Sequence, residues 1–558
     1  MQYEATQAND ANEASEDATS AYAYPLLIKR LLLTPMAHAR EQEIVYRGKV
    51  RITYAQLQER IARLANGLQR LGVQKGTTVA VMDWDSHRYL ESYFAIPMMG
   101  AVLQTVNIRL SQSEIAYTID HARAEVVLVH ADFLPVLEAI REKLPRVHTF
   151  VLIDDEGNAT LPPGIEFAGE YEQLLASSGT QFDFPDFDEN TRATTFYTTG
   201  TTGLPKGVYF SHRQLVLHTI TVMAALTSPE HGQRVHRGDV YMPLTPMFHV
   251  HAWGMPYIAT LMGLKQVYPG RYVPDRLVEL MREENVTYSH CVGTILHMML
   301  SCPQAKTADF SKWKVVIGGG ALPHGLARAA LERGIDIFTG YGMSETCPVL
   351  TLAQLMPSRE PRTLDEEVSL RCRTGLPIPL VDLRIVDAEM RDVPHDGSAS
   401  GEVVVRAPWL TQGYLHNPDA SKTLWEGGWL HTQDVARIGT DGYLQITDRI
   451  KDVIKSGGEW VSSLDIESLI SQHPAVAEVA VIGIKSEKWG ERPAAVIVLR
   501  PEHGAPVSSE EIRAHVMRFA ETGKISKYAV PEIVKFVDAL EKTSVGKLNK
   551  KWLRENFD

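Results

Sequence analysis

The chain has 558 residues, of which 44% are hydrophobic and 22% charged, and a formal net charge of −12. Its length exceeds one ordinary domain of roughly 100–200 residues, so several packed subdomains are expected, and an average composition excludes a fibrous or disordered chain. With 56 basic residues against 68 acidic ones, a broad phosphate-neutralising face for nucleic acid is excluded and any phosphate ligand must be gripped locally.

In chain order, the first 20 residues carry five acids (Glu4, Asp10, Glu13, Glu16, Asp17) and no Lys or Arg. That is unlike the basic start of a targeting signal, and residues 1–20 read as a disordered acidic tail. Thr53 with Gln56 forms a capping box before Leu57, Ile61, Leu64, Leu68 and Leu71, and Gly72 is a stop signal, which predicts one amphipathic helix. Short apolar runs at 79–82, 126–129, 150–153 and 315–317 alternate with helix-like segments, the pattern of largely parallel sheets in a layered α/β body.

Residues 240–264 contain no Lys, Arg, Asp or Glu. Pro243, Pro246 and Pro256 would break a spanning helix, and His249 and His251 would need partners, so buried strand and pocket wall are expected rather than an integral membrane segment. From about 370 to 448 short strands and tight turns predict a small β subdomain, with 401–406 and the Asp441-Gly442 turn as its clearest parts. The last stretch predicts an α+β unit with strands near 479–482 and 495–498 and a helix near 509–519. Cys291, Cys302, Cys347 and Cys372 lack CxxC spacing, which argues against a zinc site or a disulfide framework and fits a reducing cytoplasm.

The loop FYTTGTTGLPKGVYF at residues 196–210 carries the strongest chemical signal. Glycines let backbone N–H groups approach phosphate oxygens, hydroxyls add donors, and Lys206 adds a point charge. The pattern reads as a triphosphate cradle built from Thr198, Thr199, Gly200, Thr201, Thr202, Gly203 and Lys206. It lacks the spacing of a Walker loop, and Ser211 with Gln214 predicts a capped helix only after the following strand.

TTGTTGLPKG resembles the signature loop of the adenylate-forming superfamily of acyl-CoA synthetases, luciferases and peptide-synthetase adenylation domains. YGMSE at 341–345, GWLHTQDVARIGTDGYL at 428–444, DRIKDVIKSGGEW at 448–460 and TSVGKLNK at 543–550 follow in that superfamily's order. PMFHVHAWG at 246–254 and KSGGEW look most like the bacterial medium- to long-chain fatty acyl-CoA synthetases. The resemblance implies a large N-terminal domain over 21–448, a hinge at 449–451 and a small mobile domain over 452–558.

By the same resemblance Tyr341 would stack on adenine, with Gly342 and Ser344 beside it. Glu345 and Thr198 would hold Mg2+, an oxygen-liking cation. Gly319, Gly320, Ala321, Thr339 and Gly340 would line the adenylate and the acyl carbonyl. Asp434, reinforced by Arg449, would accept from the ribose hydroxyls, and Lys455 and Trp460 fall at nucleotide-contacting positions. Lys547 would be the mobile catalytic lysine, Lys451 the hinge, Gly457 and Gly458 the loop brought to the CoA tunnel, His249 the neighbour of the activated carboxylate, and Trp253 the acyl gate. Many relatives have Gly where Gln433 and Asp448 stand, which puts the local geometry there in question.

The implied reaction joins a medium- or long-chain fatty carboxylate to ATP, giving acyl-AMP and pyrophosphate, and then passes the acyl group to CoA. ATP, Mg2+ and CoA are the expected cofactors and a homodimer is plausible. Two alternatives stay open: an adenylating enzyme with another acid or acceptor, and a non-catalytic nucleotide-binding protein.

Overall fold

The computed structural model describes residues 22–198, 204–230, 232–358, 361–456, 459–500, 504, 506–523, 525–543 and 547–557. The acidic tail and the loop residues Thr199, Gly200, Thr201, Thr202 and Gly203 lie outside the described residues, as do Gly457 and Gly458.

Thr53 begins the helix Tyr54–Arg70 as its side chain accepts from Gln56 N–H at 3.2 Å while Gln56 Oε1 accepts from Thr53 N–H at 2.8 Å. Those reciprocal bonds satisfy donors that a helix start leaves open. The helix buries Leu57, Ile61, Leu64 and Leu68 against the helix His87–Met98, and a fully buried Leu or Ile contributes about 1.5–3 kcal/mol. Gly72, at φ 88°, lies just past the helix end, as the stop signal predicts.

Among the described residues, one six-stranded sheet runs in the order Thr149–Ile153, Ala124–His130, Thr78–Met82, Val102–Thr105, Arg192–Tyr197, Gly207–Ser211. Its pairings are parallel except the last, where Arg192–Tyr197 and Gly207–Ser211 form an antiparallel hairpin. A second, nine-stranded sheet has Tyr288–Cys291, Lys314–Ile317 and Asp336–Gly342 as parallel neighbours. A four-stranded antiparallel sheet, Asp382–Val386, Gly401–Arg406, Leu430–Ile438 and Leu444–Arg449, completes the large lobe. One apolar core runs continuously from Leu57 through Phe196 and Phe210 to Trp253 and Val316.

The small lobe packs its own core, with Ile454, Ile466, Val481, Ile497 and Val516, around the long hairpin Val476–Ser486 and Gly490–Leu499. A lobe with a separate core can move as a body without exposing apolar surface. Between the lobes lies a cavity of about 430 Å³ lined by Ala321, His324, Arg437, Asp465 and Ser468, among others. Asp448 Oδ2 accepts from Ser463 N–H at 2.8 Å and Arg437 pairs with Asp465 at 3.1 Å, so polar contacts hold the lobes in this pose.

The segment 240–264 is largely buried, as expected, but little of it is strand. Its strand is just Val240–Tyr241, and Met255–Met262 is a helix with Pro256 in its first turn. Proline is tolerated there because the first-turn N–H groups have no intrahelical partner to lose. No helix among the described residues is long and apolar enough to cross a membrane.

Candidate active site

Thr198 and Lys206, the described ends of the predicted cradle, follow and precede the paired strands Arg192–Tyr197 and Gly207–Ser211. The register closes at Tyr197 opposite Gly207. Just beyond it, Thr198 N–H donates to Lys206 O at 3.0 Å and Lys206 N–H donates to Thr198 Oγ1 at 3.1 Å. Both ends of the loop are therefore pinned. Ser211 then caps the helix His212–Thr227 in a box with Gln214, after the strand and not directly after the loop. The Lys206 ammonium lies 4.6 Å from the Tyr414 ring centroid, and the Tyr414 hydroxyl donates to Glu345 Oε1 at 2.6 Å. Tyr414 thus ties the lysine to the carboxylate.

Sequence reasoning misses Tyr414 because it stands 69 residues from Glu345 in a short extended run with no motif of its own. The backbone makes the connection: Leu415 N–H donates to Gly207 O at 2.8 Å, which lays the run along the hairpin.

Glu345 is buried in the short turn Ser344–Thr346, and burial pushes its carboxyl upward while the Tyr414 hydroxyl and Lys206 oppose the shift. Beside it Tyr341 donates from its hydroxyl to Asp434 Oδ2 at 2.8 Å. Asp434 Oδ1 lies 3.4 Å from Arg449 Nε, its partner across the strand pair. A carboxylate offers about four lone-pair positions, so these two contacts leave Asp434 free to accept from a further ligand. Burial raises the Asp434 carboxyl, chiefly against Arg449.

Gln433 occupies the left-handed region at φ 61°, which explains why glycine suits this position. Its N–H and its amide both donate to Glu402 Oε1, at 3.1 and 3.2 Å. Gln433→Gly is expected to shift stability by less than about 0.5 kcal/mol, because relief of strain offsets lost bonds, whereas Gln433→Val should cost about 1–2 kcal/mol. Urea unfolding midpoints would check the difference.

Lys547 reaches this cluster from the far end of the chain. A Cβ built on Gly319 would lie 2.9 Å from Lys547 Cε and 3.1 Å from Val292 Cγ1, and Gly319 itself has φ 76°. The positive φ favours glycine there, and a side chain would also crowd the end of Lys547. Burial pulls the Lys547 ammonium down to about 8; Arg449 adds to the shift, and Asp434 and Glu345 oppose it. Burial likewise holds His249 neutral, down to about 3, with Lys547 and Arg109 adding to the effect. Lys547, Glu345, Asp434, Arg449 and His249 therefore share one electrostatic neighbourhood although they come from five separate stretches of chain.

Residues 250–254 hold the strained part of the site. Val250, His251, Ala252 and Trp253 have φ of 48°, 52°, 46° and 58°, followed by Gly254 at 75°. This is a left-handed helical turn, costing roughly 1–2 kcal/mol per non-glycine residue. Trp253 is 8% exposed. Its ring lies against His290 at 5.1 Å between centroids, and a Cβ on Gly318 would stand 2.8 Å from the indole. His251 is fully buried among Tyr93, Phe196 and Phe210, and neither ring nitrogen has a hydrogen-bond partner among the described residues.

Gly340 O would lie 2.9 Å from that same Cβ, and a Cβ on Gly342 would fall 1.7 Å from Pro348 O, so side chains are excluded at this corner. Gly320 faces open space and Ala321 borders the interlobe cavity. Thr339 turns away, donating from its hydroxyl to Arg371 O at 2.9 Å. Lys455 stands apart from the cluster, its N–H bonded to Glu491 at 2.9 Å and its backbone paired with Trp460 across a hairpin of the small lobe. Lys451 follows Arg449 directly into the small lobe, where Asp452 pairs with Arg554 at 2.7 Å.

The donor set suits magnesium. Among the described residues no group of three His, Cys, Asp or Glu could cage a metal, and Mg2+ is commonly held by one or two carboxylates together with substrate phosphates. A buried Glu345 linked through Tyr414 to Lys206 fits that pattern.

The AMP-binding enzyme family matches residues 34–415, and the AMP-binding enzyme C-terminal domain matches residues 465–547. The chain belongs to the AMP-binding enzyme family. It is 42% identical to a long-chain-fatty-acid–CoA ligase of Thermus thermophilus over 92% of this chain and 93% of that one. A 3-methylmercaptopropionyl-CoA ligase of Ruegeria lacuscaerulensis is 38% identical over 96% of this chain and 97% of its own. Among solved structures, an anthranilate–CoA ligase in complex with anthranoyl-AMP superposes with a TM-score of 0.83 at 26% identity, covering 95% of this chain and 97% of that one. As an AMP-binding enzyme, the chain has the large α/β lobe and smaller C-terminal lobe of that structure.

Proposed function

We propose that this AMP-binding enzyme is a fatty acid–CoA ligase acting in the cytoplasm. The chain is an AMP-forming acyl-CoA ligase that uses ATP, Mg2+ and CoA, and the choice of a medium- or long-chain fatty acid is our reading. The observation that carries it is the meeting of Lys547 with Asp434, Glu345 and His249, on the same apolar core that buries Trp253. The high identity to a long-chain-fatty-acid–CoA ligase supports the same acid class.

In this reading Thr198, Lys206 and the loop residues 199–203 bind the triphosphate, and Glu345 with Thr198 holds Mg2+. Bound magnesium supplies charge neutralisation at the phosphates. Tyr341 takes the adenine, Asp434 and Arg449 hold the ribose, and Gly319 and Gly340 leave room for the acyl phosphate. Lys547 neutralises carboxylate and α-phosphate oxygens as charge builds up between them. Neutral His249 stands beside the reacting carboxylate without adding an anion. Rotation about Lys451 then withdraws Lys547 and brings Gly457 and Gly458, with Lys455 and Trp460, towards the thioester-forming site. A homodimer is part of this proposal.

The test is a panel of acids of increasing length with ATP and Mg2+, with and without CoA, read by pyrophosphate release and mass spectrometry. Acyl-CoA formed from fatty acids in the presence of CoA is expected. Acyl-AMP that never passes to CoA would point to another acceptor, and no acid-dependent pyrophosphate release would overturn the reading.

A further inference from the structure

His290 is used nowhere in the chemistry above, yet it is buried directly against Trp253. On the strand Tyr288–Cys291 side chains alternate: Cys291 enters the core under the helices of the second sheet, while His290 meets Trp253. The next residue on the His290 face, Val292, reaches Gly319. His290 therefore belongs to the face that carries the reacting centre. It is 1% exposed, and its Nδ1 has no hydrogen-bond partner among the described residues. Its Nε2 lies 2.8 Å from the Tyr241 hydroxyl.

Counting donors decides the tautomer. If Nε2 carried the proton, the Tyr241 hydroxyl hydrogen would still need an acceptor and bare Nδ1 would need a donor. If Tyr241 donates to Nε2, the sole unmet group of the pair is Nδ1–H. Burial keeps the ring neutral, down to about 3. An orphaned buried donor is costly, and a ligand that satisfies it is favoured over one that does not.

We propose that His290 selects the acid: Nδ1–H donates to an oxygen or sulfur acceptor carried in the substrate chain, so heteroatom-bearing acids are preferred over plain alkanoic acids of equal length. Trp253, seated between Gly318 and His290, brings the chain against this donor, and Tyr241 acts as the positioning residue that holds the tautomer. The inference rests on the acid–CoA ligase reading and deepens it by naming what the far part of the acid carries. A site that hydrogen-bonds one group of a substrate disfavours the analogue lacking it, since the buried donor is then left unpaired.

The experiment compares matched pairs from butyrate to decanoate, each plain acid against the acid with one chain methylene replaced by oxygen or sulfur. The ratio of kcat/KM within each pair is the readout. For at least one pair the heteroatom acid should win by on the order of tenfold. His290→Leu should bring that ratio to one or below, and Tyr241→Phe, which spares the imidazole, should lower it severalfold. Thermal melting establishes that each variant is folded, and Tyr241→Phe decides the question if His290→Leu is not. No preference in any pair of the unaltered enzyme, or a preference that survives in the folded variants, overturns the inference while leaving the ligase reading intact. Failure to activate any acid refutes the ligase reading and this inference with it.

Discussion

Lys547→Ala is expected to slow acyl-AMP formation by about a thousandfold, the scale on which one preorganised charge-stabilising donor acts in a transition state. Thioester formation from supplied acyl-AMP should change by no more than a few fold, because in the proposed cycle Lys547 has left before CoA attacks. Pyrophosphate release measures the first step, and acyl-CoA appearance from synthetic acyl-AMP measures the second. Equal losses in both would refute the rotation.

The same lysine sets a pH limit. Burial pulls its ammonium down to about 8, so the charge is present below that pH and is lost as pH rises through it. Adenylation kcat/KM should therefore fall on the alkaline side near pH 8. Lys547→Arg, whose guanidinium stays charged, should lose that alkaline limb even if its rate is lower.

Asp434→Ala is expected to weaken ATP about a hundredfold. Hydrogen bonds to charged groups contribute about 1.5–3 kcal/mol each, and the loss also strips Arg449 and Tyr341 of their shared partner. Asp434→Asn keeps an oxygen acceptor and should fall between. ATP affinity from calorimetry and the KM for ATP should move together, while the KM for the acid stays nearly constant. A loss spread equally over acid and ATP would show Asp434 holding the fold of the site instead of the ribose.

Chemistry was legible in the sequence wherever it depends on a short, ordered run of residue types. The glycine- and threonine-rich loop announces phosphate binding because backbone approach needs glycine and anion binding needs local donors, both written within ten residues. The box at Thr53 and Gln56 is legible for the same reason: its bonds close within one turn. The strands at 78–82, 124–130 and 314–317 follow from uninterrupted apolar runs.

Groups that meet across long sequence distances were not legible. Tyr414 touches Glu345 and Lys206 because a sheet edge carries it there. The positive φ of Gln433 is set by how its strand turns towards Arg449, and the segment 240–264 becomes a left-handed turn and a helix because the surrounding aromatic core over-determines it. Local composition cannot encode any of these. By itself the sequence determined the glycine- and threonine-rich run from which phosphate binding is proposed, and the family motifs that accompany it. Tertiary packing alone decided that Lys547, Asp434 and Glu345 share one field, and that Trp253 packs against a buried His290 whose Nδ1 has no partner among the described residues, because both depend on closing loops of up to hundreds of residues.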